Sequence, residues 1–127
     1  MYQKVQEPTS YKVDYTTLPF RTTTAEMVVG VDDNNHPIYR QTIDITSPSV
    51  ASGGRNFNVG ATTLVDWDIR HINSGSGFIS KGPSYIDNPS NPAATFSVTV
   101  GKDSAYFSGV SASFQGQTFK LTLYYLK

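Results

Sequence analysis

The sequence predicts an all-β protein, namely an antiparallel β-sandwich of jelly-roll-like type with about eight short strands. Serine and threonine occur 14 times each, whereas leucine occurs five times. Tyrosine and phenylalanine, with eight and seven copies, are also abundant. Aromatic and β-branched residues favour strands, and the residues that favour helices are scarce. Ten glycines and seven prolines divide the chain into the short segments expected of strands joined by turns.

The N-terminal residues 1–24 are expected to form an extended arm or linker. Pro8 and Pro19 interrupt this stretch, and its aromatic residues follow neither the period of a strand nor that of a helix. The repeating pattern begins at residue 25. We therefore predict one β-sandwich domain over residues 25–127.

A β-hairpin is predicted at the start of the domain. Met27–Val31 and residues 38–45 have strand-like composition, and residues 32–37 between them are rich in Asp, Asn and Pro, which favour turns. The alternation in the second strand places three side chains inward, those of Tyr39, Ile43 and Ile45.

The clearest strand follows at Thr63–Ile72, after a predicted loop at residues 47–54 and a predicted short strand at residues 57–60. Apolar and charged side chains alternate along Thr63–Ile72, as expected for an antiparallel sheet with one buried face and one solvated face. The predicted buried residues are Val65, Trp67 and Ile69, and the predicted solvent-facing residues are Asp66, Asp68 and Arg70.

The remainder of the chain continues this pattern. A glycine-rich turn at residues 73–77 and a proline-rich loop at residues 82–92 separate short apolar runs. We predict strands at residues 78–81, 96–100, 105–107, 110–114 and 119–126. The last of these places Phe119, Leu121, Leu123 and Tyr125 on one face. No strand alternates with a helical pattern, which argues against a βαβ fold.

Composition excludes several classes of function. The chain has no cysteine, which excludes disulfide scaffolds, thiolate zinc sites and a cysteine nucleophile. Ten basic residues balance ten acidic ones, so the positive charge that nucleic-acid binding requires is missing. No apolar run approaches the length of a membrane span, and no signal peptide is recognisable at the N-terminus. We expect neither a nucleic-acid nor a membrane partner.

Candidate catalytic residues do not form a convincing set. His36 lies in the predicted hairpin turn, and His71 is expected to be a half-buried, hydrogen-bonded imidazole near the end of a strand. Asp66 and Asp68 share a strand face about 7 Å apart, a spacing that a glycosidase pair can have. Two acids beside Arg70 are also what the solvated face of a strand ordinarily carries. The protein is therefore predicted not to be an enzyme, and a glycan hydrolase that uses Asp66 and Asp68 is kept as an alternative.

Metal and cofactor sites are not predicted. Residues 32–35 and Asp87–Asn88 offer oxygen ligands, but neither has the spacing of an EF-hand, and both suit turns. No phosphate-binding, dinucleotide-binding or zinc-protease motif is present.

Binding is the better supported class of function. Tyrosine, serine, glycine and asparagine are typical of recognition loops, and a tyrosine ring can stack on a sugar. The aromatic residues least tied to a strand alternation are Phe78, Tyr85 and Tyr106, which are the candidate ligand-binding residues. Trp67, in the centre of its strand, is assigned to the core.

Two segments resemble a family of bacteriophage tail proteins. Thr-Ala-Glu-Met-Val-Val-Gly at residues 24–30 precedes Pro-Ile-Tyr-Arg-Gln-Thr-Ile at residues 37–43, with the family's spacing between them. Residues 119–127 are similar to the family's closing strand, and the likeness covers residues 22–127. The hairpin turn departs from the family pattern: Asp32 replaces a tryptophan, and Asn34-Asn35 replaces Asp-Gly.

The resemblance implies the C-terminal β-domain of a tail fibre or baseplate receptor-binding protein. It implies a virion location, a homotrimer, contacts with other tail proteins, and attachment to a host cell-surface glycan or protein, cell-wall saccharide being the first choice. The shared positions are scaffold residues, so no binding residue is carried over. One alternative is a purely architectural virion component, such as a capsid-decorating or head-fibre protein.

Overall fold

A computed structural model describes residues 25–127, and the arm predicted for residues 1–24 lies outside the described residues. Nine strands and one 3₁₀ turn (Ala112–Phe114) make up the domain. The strands are β1 (Met27–Val31), β2 (Pro37–Thr46), β3 (Gly53–Asn56), β4 (Thr63–Ile72), β5 (Ile79–Lys81), β6 (Ser84–Ile86), β7 (Thr95–Val100), β8 (Ser104–Ser108) and β9 (Thr118–Leu126). Within this part of the chain, no helix has the length and apolar character needed to cross a membrane.

Two antiparallel sheets form the sandwich, which confirms the predicted fold class. The five-stranded sheet has the order β1-β2-β9-β4-β5, and the four-stranded sheet has the order β3-β8-β7-β6. The C-terminal strand β9 lies at the centre of the larger sheet, between β2 and β4. Its predicted inward face is confirmed, because four of its side chains have no exposed surface: Phe119, Leu121, Leu123 and Tyr125.

Aromatic side chains join the two sheets. Phe96 from β7 lies edge-on to Phe119 from β9 and to Phe114 from the 3₁₀ turn, with ring centroids 5.0 Å apart in both pairs. Phe107 from β8 meets Phe119 at 5.4 Å. Edge-to-face contacts at this separation add to the hydrophobic gain of about 1.5–3 kcal/mol for each buried ring. The core therefore occupies the space between β9 and the four-stranded sheet.

The predicted β1–β2 hairpin is present. Asn35 adopts a left-handed φ of 61°, and the Asp32 carboxylate accepts hydrogen bonds from the backbone amides of Asn34 and His36. The bond from the His36 amide is the main reason why the pKa of Asp32 lies below its usual value. The residues predicted to point inward from β2 are half-buried or buried: Tyr39, Ile43 and Ile45.

Strand β4 has its predicted bounds, but one of its predicted buried residues is exposed. Leu64 and Asp66 pair with consecutive residues of β9, so that Val65 between them has no partner and forms a β-bulge. The bulge turns Val65 outward, with 49% of its surface exposed, and Leu64 packs against the core instead. Beyond the bulge the prediction is confirmed for the half-buried Trp67 and the buried Ile69.

The strand predicted at residues 57–60 is wrong, and strand β3 lies just before it. Gly53–Asn56 pairs with β8 although two glycines give it low intrinsic strand preference, because the edge of β8 supplies the hydrogen bonds. The predicted loop at residues 47–54 consequently ends earlier. Phe57 still packs against the core, and its backbone amide donates to the Asp103 carbonyl at 3.0 Å.

Two further predicted segments differ from the structure. Residues 110–114 contain the 3₁₀ turn instead of a strand, and this turn buries both Val110 and Phe114. The predicted proline-rich loop at residues 82–92 contains the short strand β6, which pairs with β7 and buries one side of Tyr85. In both places tertiary packing overrides the local sequence signal.

A buried serine fixes the loops at one end of the sandwich. Ser47 is 1% exposed, and its hydroxyl donates to the Phe114 carbonyl at 2.5 Å. The same oxygen accepts from the Gln117 amide at 3.0 Å. Because buried polar groups without partners are costly, these two bonds hold the loop after β2 against the loop before β9.

A polar cluster at the edge of the core, which we call the Glu26 clasp, joins Glu26 to the C-terminal strand. The hydroxyl of buried Tyr125 donates to the Glu26 carboxylate, and its oxygen lies 3.1 Å from Gln41 Oε1. Lys127 donates to Glu26 at 2.7 Å and lies 4.9 Å from the Tyr39 ring centroid. Burial opposes ionisation of Glu26, but the hydrogen bonds from Lys127 and Tyr125 outweigh it and lower its pKa. Burial and the Glu26 contact raise the pKa of Tyr125.

Candidate functional site

The outer face of the four-stranded sheet is rich in hydroxyl groups, and none of the residues that the structure describes on it is charged. Strands β7 and β8 alternate, with Phe96, Val98, Ala105 and Phe107 buried and the residues between them facing solvent. We call this outer surface the hydroxyl face, and its residues are Gly54, Asn56, Ser84, Ile86, Thr95, Ser97, Thr99, Ser104, Tyr106 and Ser108. Hydroxyl groups both donate and accept hydrogen bonds. This surface is therefore suited to a polar, uncharged ligand.

Tyr106 is the aromatic residue of the hydroxyl face. It lies on β8 between Gly54 and Thr99, which are its neighbours on the two adjacent strands, and it is 54% exposed. A Cβ atom at Gly54 would lie 3.8 Å from the Tyr106 ring, so the ring leans over the glycine. The exposed part of the ring is available for stacking.

A shallow depression lies on the hydroxyl face between β6 and β7. It has a volume of about 260 Å³, and Ser84, Ile86, Thr95, Ser97 and Gly109 contribute to its lining. The hydroxyls of Ser84 and Ser97 lie 3.2 Å apart, and the Thr95 hydroxyl donates to the Gly109 carbonyl at 2.8 Å. Ile86, half-exposed, adds an apolar wall. We refer to it as the β6–β7 depression.

A second depression, the β3–β8 depression, opens at the other end of the hydroxyl face. Asn56, Phe57, Asn58, Asp103 and Ser104 line a volume of about 490 Å³. Its one carboxylate, that of Asp103, lies 3.2 Å from the ammonium group of the adjacent lysine. Amide and hydroxyl groups therefore supply most of its polar surface.

The outer face of the five-stranded sheet has the opposite character, because it carries paired charges. Lys120 donates to Asp44 at 2.5 Å. Asp68 lies 3.7 Å from Arg70 and 3.9 Å from Lys81, where β4 and β5 place two cations opposite each other. Exposed ion pairs of this kind contribute little to stability, but they leave this face well solvated.

The two acids of the glycan-hydrolase alternative lie on this charged face. Asp68 is paired with Arg70 and Lys81, and the Asp66 carboxylate accepts a hydrogen bond from the Trp67 amide at 2.8 Å. Neither acid lines the β6–β7 or the β3–β8 depression. This arrangement is that of a solvated strand surface and offers no support for an acid–base pair.

The three candidate binding residues occupy separate places. Tyr106 lies on the hydroxyl face. Tyr85 lies in β6, and its ring packs inward against Phe96 at 5.7 Å and edge-on against Phe114 at 5.7 Å. Phe78 is 75% exposed in the turn before β5. The structure therefore places only Tyr106 as an exposed aromatic platform beside the hydroxyl groups.

The histidines are accounted for by their local contacts. The His36 ring nitrogen lies 3.1 Å from the Asp32 carboxylate in the exposed hairpin turn. His71 is half-buried, as predicted, and packs against the rings of Phe114 and Phe119 at 5.2 and 5.3 Å. Over residues 25–127, no three His, Asp or Glu side chains gather in a way that could hold a metal ion.

Asp87, the other acid considered as a metal ligand, organises its own loop. Its carboxylate accepts from the amides of Ala94, Ala93 and Asn88. These bonds, the one from Ala94 first, lower the pKa of Asp87. The acid therefore serves as a turn-forming acceptor.

Sequence reasoning missed the hydroxyl face as a whole. The alternation of Ser97 and Thr99 with buried residues is visible in the sequence, but the pairing of β7 with β6 and β8 is needed to gather hydroxyl groups from these three strands around Tyr106.

Comparison with known proteins returned no matching family model, no similar curated protein and no similar solved structure. The resemblance to bacteriophage tail proteins therefore stays a prediction.

Proposed function

We propose that this chain is a non-catalytic virion domain of a bacteriophage tail fibre or baseplate tip, and that it attaches to saccharide on the host cell surface. The observation that carries the proposal is the uncharged hydroxyl face with the exposed ring of Tyr106 at its centre. Sugar rings present apolar C–H groups and hydroxyls together, which suit an aromatic ring bordered by hydroxyl side chains.

The absence of charge on this face narrows the class of ligand. Electrostatic complementarity sets specificity, and an anionic polymer requires a cationic groove. Among residues 25–127, the hydroxyl face has no such groove, whereas Asp68 and Arg70 and likewise Asp44 and Lys120 are paired on the opposite sheet face. A neutral saccharide is therefore the best match.

Weak contacts suffice for this function in a particle that carries many copies. Once one domain of the particle has bound, the others are held close to the same surface at a high effective concentration. A low affinity per domain therefore suffices for firm attachment of the particle. The proposal does not require a deep pocket.

A fluorescent fusion of the full chain tests the proposal on a panel of bacterial strains and their isolated cell walls. We expect retention on at least one strain, and the Tyr106→Ala variant should lose about tenfold in apparent affinity, since one aromatic contact contributes up to about 1.5 kcal/mol. Tyr124→Ala is the matched control, because Tyr124 lies on the opposite sheet face. Equal retention of both variants, or no retention on any envelope, would contradict the proposal.

One observation favours the architectural alternative. Ile72 and Ile79 pair on the outer face of β4 and β5 and are 46% and 55% exposed, and Phe78 lies beside them. Contiguous exposed apolar residues commonly mark protein contacts. Light scattering at micromolar concentration tests this patch as an assembly surface: a trimer that Phe78→Ser dissociates supports assembly through it, and a monomer argues against it. Because the receptor-binding hypothesis also implies a trimer, the retention assay decides between attachment and a purely architectural role.

A further inference from the structure

We infer that the ligand of the hydroxyl face is an internal stretch of a linear neutral polysaccharide, which runs diagonally across the strands from the β3–β8 depression, over Tyr106, to the β6–β7 depression. This inference rests on the proposed function and adds the form of the ligand: an extended chain that is held along its length, not a terminal sugar held in one pocket.

The positions of the three features on the sheet define the diagonal. Asn56 and Ser104, which line the β3–β8 depression, are paired on β3 and β8. Tyr106 follows two residues further along β8, and after two more residues Ser108 pairs with Ser97, which lines the β6–β7 depression. All of these residues alternate with buried ones and so face the same side of the sheet.

The length of the diagonal exceeds one sugar residue. Four residues along β8 and about two strand spacings across the sheet separate the two depressions, which amounts to roughly 17 Å at about 3.4 Å per residue and 4.8 Å per strand. A monosaccharide cannot reach both depressions, whereas a chain of several linked rings can.

Neither depression is built to hold a ligand alone. The β6–β7 depression, at about 260 Å³, is smaller than the roughly 300 Å³ at which small-molecule pockets begin. The β3–β8 depression, although larger, is an open hollow at the rim of the sheet with a mixed polar and apolar lining. Each can accept one or two sugar units weakly, and linking the contacts in one chain multiplies their affinities through effective concentration.

The chemistry along the diagonal is consistent with a neutral chain throughout. Tyr106 and Ile86 supply the apolar contacts, and serine, threonine and asparagine side chains supply donors and acceptors between them. The single carboxylate on the route, that of Asp103, has Lys102 beside it at 3.2 Å, so it presents no net charge to the ligand.

Titration with size-fractionated glycans tests the inference. The probes are di-, tetra- and hexasaccharides from neutral glucan, galactan, mannan and chitin, added to the full chain and followed by calorimetry. We expect at least one series in which the affinity rises by about tenfold or more from di- to hexasaccharide.

Two variants locate the far end of the diagonal. Ser97→Trp fills the β6–β7 depression and Ile86→Ala removes its apolar wall, and each should reduce hexasaccharide affinity about tenfold while leaving a disaccharide bound near Tyr106 little changed. Thr118→Trp, an exposed position on the outer face of the five-stranded sheet, is the control for the added ring. Circular dichroism establishes that all three variants are folded.

The outcomes separate this inference from the proposed function. A disaccharide that binds as tightly as its hexasaccharide would overturn the extended ligand but leave saccharide binding intact. A rise in affinity with length that neither Ser97→Trp nor Ile86→Ala reduces would overturn the diagonal. Failure of every series to bind would overturn both the inference and the proposed function.

Discussion

Removal of one buried hydroxyl, by the Tyr125→Phe substitution, should measurably destabilise the domain. The Tyr125 ring has no exposed surface, and its hydroxyl donates to the Glu26 carboxylate. Phenylalanine keeps the ring, so no cavity forms, and Lys127 remains bound to Glu26, so the carboxylate is not left unpaired. The loss is that of one hydrogen bond to a charged group, about 2 kcal/mol.

Urea unfolding followed by fluorescence of Trp67, the single tryptophan, measures this loss. With a denaturant slope of about 2 kcal/mol/M, the midpoint should fall by about 1 M. Tyr124→Phe, on the adjacent residue and the opposite face, is the control and should change the free energy of unfolding by less than about 0.5 kcal/mol. Equal effects of the two substitutions would refute the assignment of the clasp.

The pH dependence of stability provides a second measurement on the same clasp. Because the folded-state pKa of Glu26 is below its ordinary 4.5, its contribution is present above that pH and is lost as the pH falls through the folded-state pKa. Because the folded-state pKa of Tyr125 is raised above 10.0, the unfolded chain loses that proton first and stability falls as the pH rises above 10. Glu26→Gln should therefore lower the free energy of unfolding at pH 7 and have less effect near pH 4. Tyr125→Phe should make the fall in the free energy of unfolding above pH 10 shallower. A constant effect of Glu26→Gln between pH 7 and pH 4 would contradict this reasoning.

Two further substitutions test the packing of the sandwich by the same urea assay. Ser47→Ala should cost about 1–3 kcal/mol, because it leaves the buried Phe114 carbonyl and the part-buried Gln117 amide without their partner. The substitution Ser49→Ala, at an exposed position, should have little effect. Equal effects of the two substitutions would contradict the bonds assigned to Ser47. Gly82→Ala should cost about 1–3 kcal/mol, since its Cβ would lie 2.5 Å from Ile69 Cγ2. Gly30→Ala, with open space around the added atom, should change stability by less than about 0.5 kcal/mol. A tolerated Gly82→Ala would show that the link between β5 and β6 packs less closely against Ile69 than described.

The parts of the fold that sequence predicts are those in which local pattern and tertiary environment agree. Thr63–Ile72 and Thr118–Leu126 alternate between apolar and polar residues because each has one buried side, and both are strands of the five-stranded sheet. The hairpin turn is predictable from sequence because Asn35 tolerates the left-handed backbone conformation and the Asp32 carboxylate accepts a hydrogen bond from the nearby Asn34 amide.

The parts that sequence does not predict depend on partners far along the chain. Val65 continues the apolar alternation, and only the register of β4 against β9 shows that a bulge turns it outward. Gly53–Asn56 has the composition of a loop and becomes a strand because β8 lies beside it. Tyr85 lies in a proline-rich stretch that has the composition of a loop, and only the pairing of β6 with β7 places its ring on Phe96.

The candidate site also contains both residues that the sequence singles out and residues that only the strand pairing brings together. Tyr106 could be singled out as an aromatic residue near a strand end, whereas its neighbour Thr99 comes from the adjacent strand β7 and is given only by the pairing. The Glu26 clasp joins residues 26 and 125, a separation at which no local pattern gives a signal.

Chemical-shift mapping tests the central claim most directly. Addition of a neutral cell-wall oligosaccharide from a strain that retains the domain should shift the backbone amide signals of β7 and β8 around Thr99 and Tyr106, and the outer face of β2 and β4 should stay unchanged. Shifts centred on Asp44, Asp68 and Lys120, with the signals of β7 and β8 unmoved, would contradict the assignment of the hydroxyl face as the binding surface.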